Sequence, residues 1–238
     1  IRSFTNEDIP EKMLMNILEA GRRAPTSSNM QAYSVIVVKD PGAKRELAVL
    51  AGNQKQIEDC PVFLAFCADL HRLNKACELH DVEMTNNLET FLISTIDASL
   101  VGMSVQTGAE SQGLGAVMIG AMRNHPAEVA KLLGLPPHVY VTYGMCLGWP
   151  VKQNIPPQKP RLPKALVIHS EKYNQTNPID QIKVHDEELA QHYVSLGKNM
   201  HAAAWSGVIA RSLGGSMRPE NLKILAELGF NICSESDV

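Results

Sequence analysis

Between Leu88 and about Gly113 the chain carries its longest helical signal, and that helix is apolar on most of its sides: Leu88, Phe91, Leu92, Ile96, Leu100, Val101, Met103 and Val105 leave little room for a wetted face. Such a helix belongs inside a structure or between two subunits, because water cannot solvate it. The rest of the chain has to supply the cover. Short apolar runs at Ser34–Val38, Pro61–Ala68, Ala116–Ile119 and Val139–Leu147 read as buried strands. Helical segments lie between them. Thr5, Asp8 and Pro10 signal a helix through Ala20, with Met13, Leu14, Ile17 and Leu18 on one face. A turn at Asp40-Pro41-Gly42 leads into a helix over Ala43–Leu50, and a further helix covers Pro126–Leu133. Strands alternating with helices predict a three-layer α/β or α+β sheet domain.

From Trp149 to Pro163 the periodicity stops and five prolines appear, the composition of an extended arm. Three helices are expected after it, over about Asp186–Gly197, Ala202–Leu213 and Pro219–Leu228. At 238 residues the chain can bury a full core. A net charge of −3 gives no electrostatic reason to expect nucleic acid or an anionic membrane as partner. The cysteines (Cys60, Cys67, Cys77, Cys146, Cys233) form neither a disulfide framework nor a metal-ligand pattern. No segment reads as a membrane span or signal peptide, so the cytoplasm is the expected location. The chain starts at Ile1 without Met, as if partway into a motif.

GxSxG, P-loop, HExxH and Rossmann GxGxxG motifs are absent, and Gly113-Leu114-Gly115 ends a helix where a dinucleotide turn would have to open one. Several polar turns beside strand ends could hold a ligand. The run Arg22-Arg23-Ala24-Pro25-Thr26-Ser27-Ser28-Asn29-Met30-Gln31 offers hydroxyls and backbone N–H groups for a planar heterocycle or its sugar-phosphate tail; a solvated loop is the plainer reading. Gln54 can donate and accept along a heterocycle edge, or be a surface amide. Around Gly120 in Met118-Ile119-Gly120-Ala121 small residues let a ligand lie against bare backbone, or mark a turn. Lys159 and Arg161 flank Pro160 as a phosphate clamp or as a basic arm. Arg218 sits before Pro219 at an expected helix start, where a cation opposes the dipole, which favours a ligand role. Lys198 and His201 stand nearby in sequence.

Taken in order, IRSFT, APTSSNMQ, NQKQIEDCPVFLAFCAD, AESQGLGAVMIGAMRN, YGMCLGWP and QKPRLP resemble the nitroreductase superfamily, in its larger NADPH-dependent nitro/flavin reductase type. The resemblance runs from Ile1 to about Gly229. It implies an α+β fold with a mixed central sheet flanked by helices, an intertwined homodimer, and FMN at the interface. It further implies a core over 1–165 and a C-terminal helical excursion over 166–238 packed on it as one structural unit. Arg2, Lys159 and Arg161 would bind the FMN phosphate; Thr26, Ser27 and Ser28 the phosphate and ring; Gln54 the ring; and Met118, Ile119, Gly120 and Ala121 would back the flavin N5. Lys198, His201 and Arg218 are candidates for the NADPH or NADH. No catalytic side chain and no metal are expected. The implied reaction is ping-pong reduction of nitroaromatics, quinones, flavins or related small acceptors, the alternative being a flavin-binding module or sensor without turnover. Two departures stand out: the phosphate-binding residues usual just before Arg2 are absent, and Leu196 and His201 occupy positions where arginines are expected. NADH or mixed use therefore stays open beside NADPH.

Overall fold

The computed structural model describes residues 1–199 and 204–232. It divides into two compact units, residues 1–155 with 220 onward, and residues 156–219. The sequence reading placed one boundary at 165/166 and kept everything after it together. The observed division starts the second unit ten residues earlier and returns the last helix to the first.

In the first unit, α1 (Glu11–Arg22) leads through a short 3-10 turn at Ser27–Asn29 into β1 (Tyr33–Val38). The α1 helix starts after Pro10 with no side-chain cap, so Thr5 and Asp8 do not serve as the cap the sequence suggested. α2 (Pro41–Leu50) begins at the expected turn, because Asp40 accepts the Ala43 N–H at 2.7 Å and Pro41 pre-sets the first helical φ. The short α3 (Lys55–Asp59) precedes β2 (Val62–Asp69), and α4 (His71–Glu78) follows it; neither helix was anticipated. α5 (Leu88–Ser111) is the long apolar helix, opened by a capping box between Asn87 and Thr90. β3 (Gly115–Ile119), a 3-10 turn at Gly120–Asn124, α6 (Pro126–Leu132) and β4 (Val139–Gly148) complete the sheet.

The sheet order is β1-β2-β4-β3, and every pairing is antiparallel. The mixed sheet expected from the resemblance is therefore corrected for the described residues: no parallel pair forms, since each neighbour runs opposite to the next. β2 and β4 are buried along their whole length, which explains why PVFLAFCA and VYVTYGMCL read as unbroken apolar runs instead of alternating ones. One side of the sheet packs on α2, α3 and α6 through Leu47, Ile57, Phe63, Met122 and Val129. The other packs on α1 and α5 through Leu14, Ile17, Phe66, Val101 and Val105. Two glycines make the closeness possible. A Cβ at Gly144 would meet the buried Phe63 ring at 2.0 Å, and one at Gly102 would meet the Tyr143 hydroxyl at 1.9 Å, where that hydroxyl donates to the Ala98 carbonyl at 2.8 Å.

α5 corrects one expectation. At 24 residues, with an 18-residue stretch of high mean hydropathy, it is long and apolar enough to cross a membrane by length and composition. Here it instead lays Ser94, Asp97, Ala98, Val101, Gly102, Val105 and Ala109 against the fold. Its opposite stripe, Leu92, Ile96, Leu100 and Met103, is 39–54% exposed.

The second unit holds α7 (Lys164–Val167), α8 (Ile179–Ser195) and α9 (Ser206–Leu213). α8 begins seven residues before the expected start, while the expected Ala202 start of the next helix falls outside the described residues. Asp186 on α8 caps α9: it accepts the Trp205 and Ser206 N–H groups at 2.7 and 2.8 Å and the Ser206 hydroxyl. α10 (Asn221–Glu227) belongs to the first unit, where Leu225 and Phe230 join Tyr140, Ala32 and Leu70 in one apolar cluster. Phe230 meets Tyr140 edge-on at 5.3 Å.

Candidate functional site

The polar turn before β1 is held in a strained shape. Ser28, Asn29 and Gln31 have φ of 47°, 57° and 52°, a left-handed region that costs a non-glycine residue about 1 kcal/mol or more. Something outside the turn has to impose it, and Asp97 of α5 does. Fully buried, its carboxylate accepts the Ser27 N–H through Oδ1 and the Ala32 N–H through Oδ2, both at 3.0 Å. A second tether comes from Arg72, whose guanidinium donates to the Gln31 and Tyr33 carbonyls, to the Ser34 hydroxyl at 2.8 Å and to Asp69 at 2.7 Å. Both ends of the turn are thereby fixed, and the Ser27 and Ser28 side chains face outward. Thr26 is half-buried and lines a cleft of 420 Å³ with Arg22, Arg23, Asn29 and Gln31.

The other expected cofactor residues lie elsewhere on this unit. Arg2 is exposed on the segment stitched to the sheet by Ile1 N–H to Ala116 O (3.0 Å), Val151 N–H to Ser3 O (3.1 Å) and Thr5 N–H to Trp149 O (2.9 Å). Gln54 directly precedes α3 without a side-chain cap bond, its amide donating to the Ala51 carbonyl at 3.1 Å and its Oε1 accepting from the Gln56 amide at 2.6 Å. That local bonding is what the structure gives Gln54. Met118 and Ile119 end β3, the first exposed and the second buried, and Gly120 and Ala121 open the 3-10 turn. The missing Cβ of Gly120 leaves open space up to the Arg123 guanidinium, 3.5 Å away, which itself is tied to the Thr142 carbonyl.

The antiparallel register separates these groups within one chain. The Thr26 turn enters the sheet at Tyr33, which pairs with Ala68 at the end of β2, whereas Gln54 precedes the start of β2. Those ends are about 24 Å apart at 3.4 Å per residue. Gly120 follows Ile119, which pairs with Gly144 near the middle of β4. One chain thus does not gather Thr26 and Gln54 around a common cavity.

In the second unit the expected cations do meet. Lys159 Nζ lies 5.3 Å and Lys198 Nζ 5.8 Å from the centroid of the Tyr193 ring, which takes both as cation–π partners. Lys198 also sits just past the C-terminus of α8, where positive charge suits the dipole. Lys159 and Arg161 line a cavity of 510 Å³ with Pro160, His185, Leu189 and Trp205. Neither these two cations nor Lys198 forms a salt bridge among the described residues. Two cations on the ring and two on the cavity wall, Lys159 being common to both and no carboxylate lining the cavity, suit a phosphate. Arg218 is not at a helix start as expected: it precedes α10 by three residues, in a left-handed conformation with φ of 50°. His201 lies outside the described residues.

Sequence reasoning missed Asp97, Arg72, Tyr193 and His185. A signal existed for Asp97, since a carboxylate in the middle of a helix, between the apolar residues Ile96 and Ala98, has to find partners.

The comparisons with known proteins agree with this layout. The nitroreductase family model matches residues 1–149, and the nitroreductase family C-terminal domain matches 159–233. The chain belongs to the nitroreductase family. It is 38% identical to "FMN reductase [NAD(P)H]" of Bacillus subtilis, across 98% of this chain and 94% of that one. With the "Oxygen-insensitive NADPH nitroreductase" of Salmonella typhimurium it shares 37% identity, across 97% and 93%. Among solved structures, B. megaterium NfrA2 superposes with a TM-score of 0.93 at 34% identity, covering 98% of this chain and 95% of the other. The NADPH:FMN oxidoreductase of Vibrio harveyi, solved with NAD+, has a TM-score of 0.87 at 35% identity, covering 97% and 94%.

Proposed function

We propose that this nitroreductase-family chain is an FMN-dependent oxidoreductase that takes electrons from NADPH or NADH and reduces nitroaromatics, quinones, flavins or related small acceptors. The observation that carries the reading is chemical: in this member of the family Lys159 and Lys198 meet on the Tyr193 ring, and Lys159 and Arg161 line a cavity of 510 Å³, none of the three in a salt bridge among the described residues. Such a set fits the phosphates of flavin and nicotinamide nucleotides, Arg161 as a planar fork and the lysines as point charges. Bound FMN supplies two-electron chemistry, alternately accepting from the nicotinamide and giving to the acceptor.

In this reading Arg2, Lys159 and Arg161 hold the FMN phosphate. Thr26, Ser27 and Ser28, stiffened from behind by Asp97, bond its polar edge, and Gln54 turns its amide from Ala51 to the ring. The open backbone of Met118-Ile119-Gly120-Ala121 lies behind N5 without needing a side chain. Lys198, His201 and Arg218 receive the nicotinamide nucleotide. Fixed positive charge and N–H groups favour the reduced flavin because they are in place before reaction and need not reorganise. Protons for the acceptor come from water, so no dedicated acid is assigned.

A homodimer is part of the proposal. Its supports are the exposed stripe Leu92, Ile96, Leu100 and Met103 on α5, and the placement of Thr26 and Gln54 toward opposite ends of β2. A cradle using both groups then draws them from two chains. A cytoplasmic location is proposed on the cysteine usage.

Initial-rate kinetics with NADPH, NADH and a nitroaromatic, quinone or flavin acceptor test the reading. Parallel double-reciprocal lines are expected, with small acceptors tolerated broadly. A chain that retains FMN yet turns over none of these acceptors with either nicotinamide is a flavin-binding module and not this enzyme.

A further inference from the structure

The cavity holding Lys159 and Arg161 has a third polar group on its wall. His185 is buried, 2% exposed, and packs edge-on to Trp205 with ring centroids 5.9 Å apart. Its Nδ1 is buried with no hydrogen-bond partner. Its neighbour Asp186 does not meet that need: both Asp186 oxygens are committed to Trp205 and Ser206 at the start of α9. A neutral imidazole carries one proton, and placing it on an enclosed nitrogen without an acceptor strands a donor, the more costly of the two unpaired states. The proton therefore belongs on Nε2. The side chain then offers one N–H from the wall of a cavity that already carries two cations.

We propose that His185 is an additional binding residue of this cavity, donating its Nε2–H to the phosphate group held by Lys159 and Arg161. The inference rests on reading the arm as the FMN phosphate site. It deepens that reading by making the site selective for the phosphorylated flavin: a buried donor adds direction where two exposed cations supply mainly charge. Tyr193 has a different part, since it orients Lys159 from outside the cavity.

The test compares FMN with riboflavin, which lacks the phosphate, by dissociation constant on the purified full chain. His185→Phe keeps a ring against Trp205 and removes both nitrogens. Loss of a hydrogen bond to a charged group is expected to weaken FMN about ten-fold. Riboflavin affinity stays unchanged, which also reports that the fold is intact, and His185→Gln, which restores a donor, recovers most of the loss. Should His185→Phe not fold, His185→Leu with the same comparison replaces it. Equal effects on FMN and riboflavin, or none on either, overturn the assignment. Arg161→Ala, run alongside, separates the two levels. A FMN-to-riboflavin ratio that falls in Arg161→Ala but not in the His185 variants removes His185 alone. A ratio that moves in none of them removes the phosphate reading of the arm and His185 with it.

Discussion

Asp97 is the residue on which the polar turn depends. It is fully buried in an apolar helix and still carries two backbone hydrogen bonds of 3.0 Å, so its removal strands the Ser27 and Ala32 N–H groups. Asp97→Ala should cost about 1–3 kcal/mol in urea unfolding, the penalty for an unsatisfied buried polar group, and should weaken FMN binding as the strained turn relaxes. If stability and FMN affinity both match wild type, the turn is set by something else. Gly144 offers a packing counterpart. Gly144→Ala forces the enclosed Phe63 ring to move and should lose about 1–3 kcal/mol of stability in urea unfolding. At this scale the candidate residues were legible as types in turns, but their partners were not. Thr26 and Lys159 announce themselves by chemistry; Asp97, Arg72 and Tyr193 act through contacts 34 to 70 residues away, which a linear pattern does not encode.

Helices and strands were more readable than single residues. All four strands lie where apolar runs of four to nine residues stood between turn formers, because a strand buried on both faces has no polar option. The short helices α3 and α4 were missed, since one or two turns give too little periodicity to register. α8 starts at Ile179, earlier than expected, and buries His185 and Asp186 beside Leu189, so its inner face is partly polar and does not read as an apolar stripe. One junction has a pH signature. Burial pushes the Asp186 carboxyl up, but hydrogen bonds from Ser206 and Trp205 outweigh that and hold it below the usual carboxylate range. A depressed folded-state value means the cap stabilises α9 fully above the ordinary carboxylate range and loses that stabilisation as pH falls through the lowered value. Amide exchange at Trp205 and Ser206 should therefore quicken in strong acid. In Asp186→Asn it should be fast, and independent of pH once the intrinsic rate is removed. Acid-independent protection in the wild-type chain contradicts this account of the cap.

For the molecule as a whole, fold class and family followed from the order of motifs, but the sheet direction and the division into units did not. Nothing in a strand's own residues states which way its neighbour runs, and α10 returns to the first unit through Leu225 and Phe230, residues that fit any apolar face. The α5 stripe is the molecular feature with the largest consequence. Ile96→Glu combined with Leu100→Glu should give a monomer by sedimentation, with FMN affinity reduced because the Thr26 turn and Gln54 would no longer share a cradle. A dimer that persists would move the interface off α5. The most direct measurement on the central claim is anaerobic mixing of the FMN-loaded chain with NADPH and, separately, NADH, followed by an oxidised acceptor. The account predicts that the flavin absorbance bleaches with at least one nicotinamide and returns on adding the acceptor. A chain that stays colourless after incubation with FMN, or whose flavin absorbance persists with both nicotinamides, contradicts it.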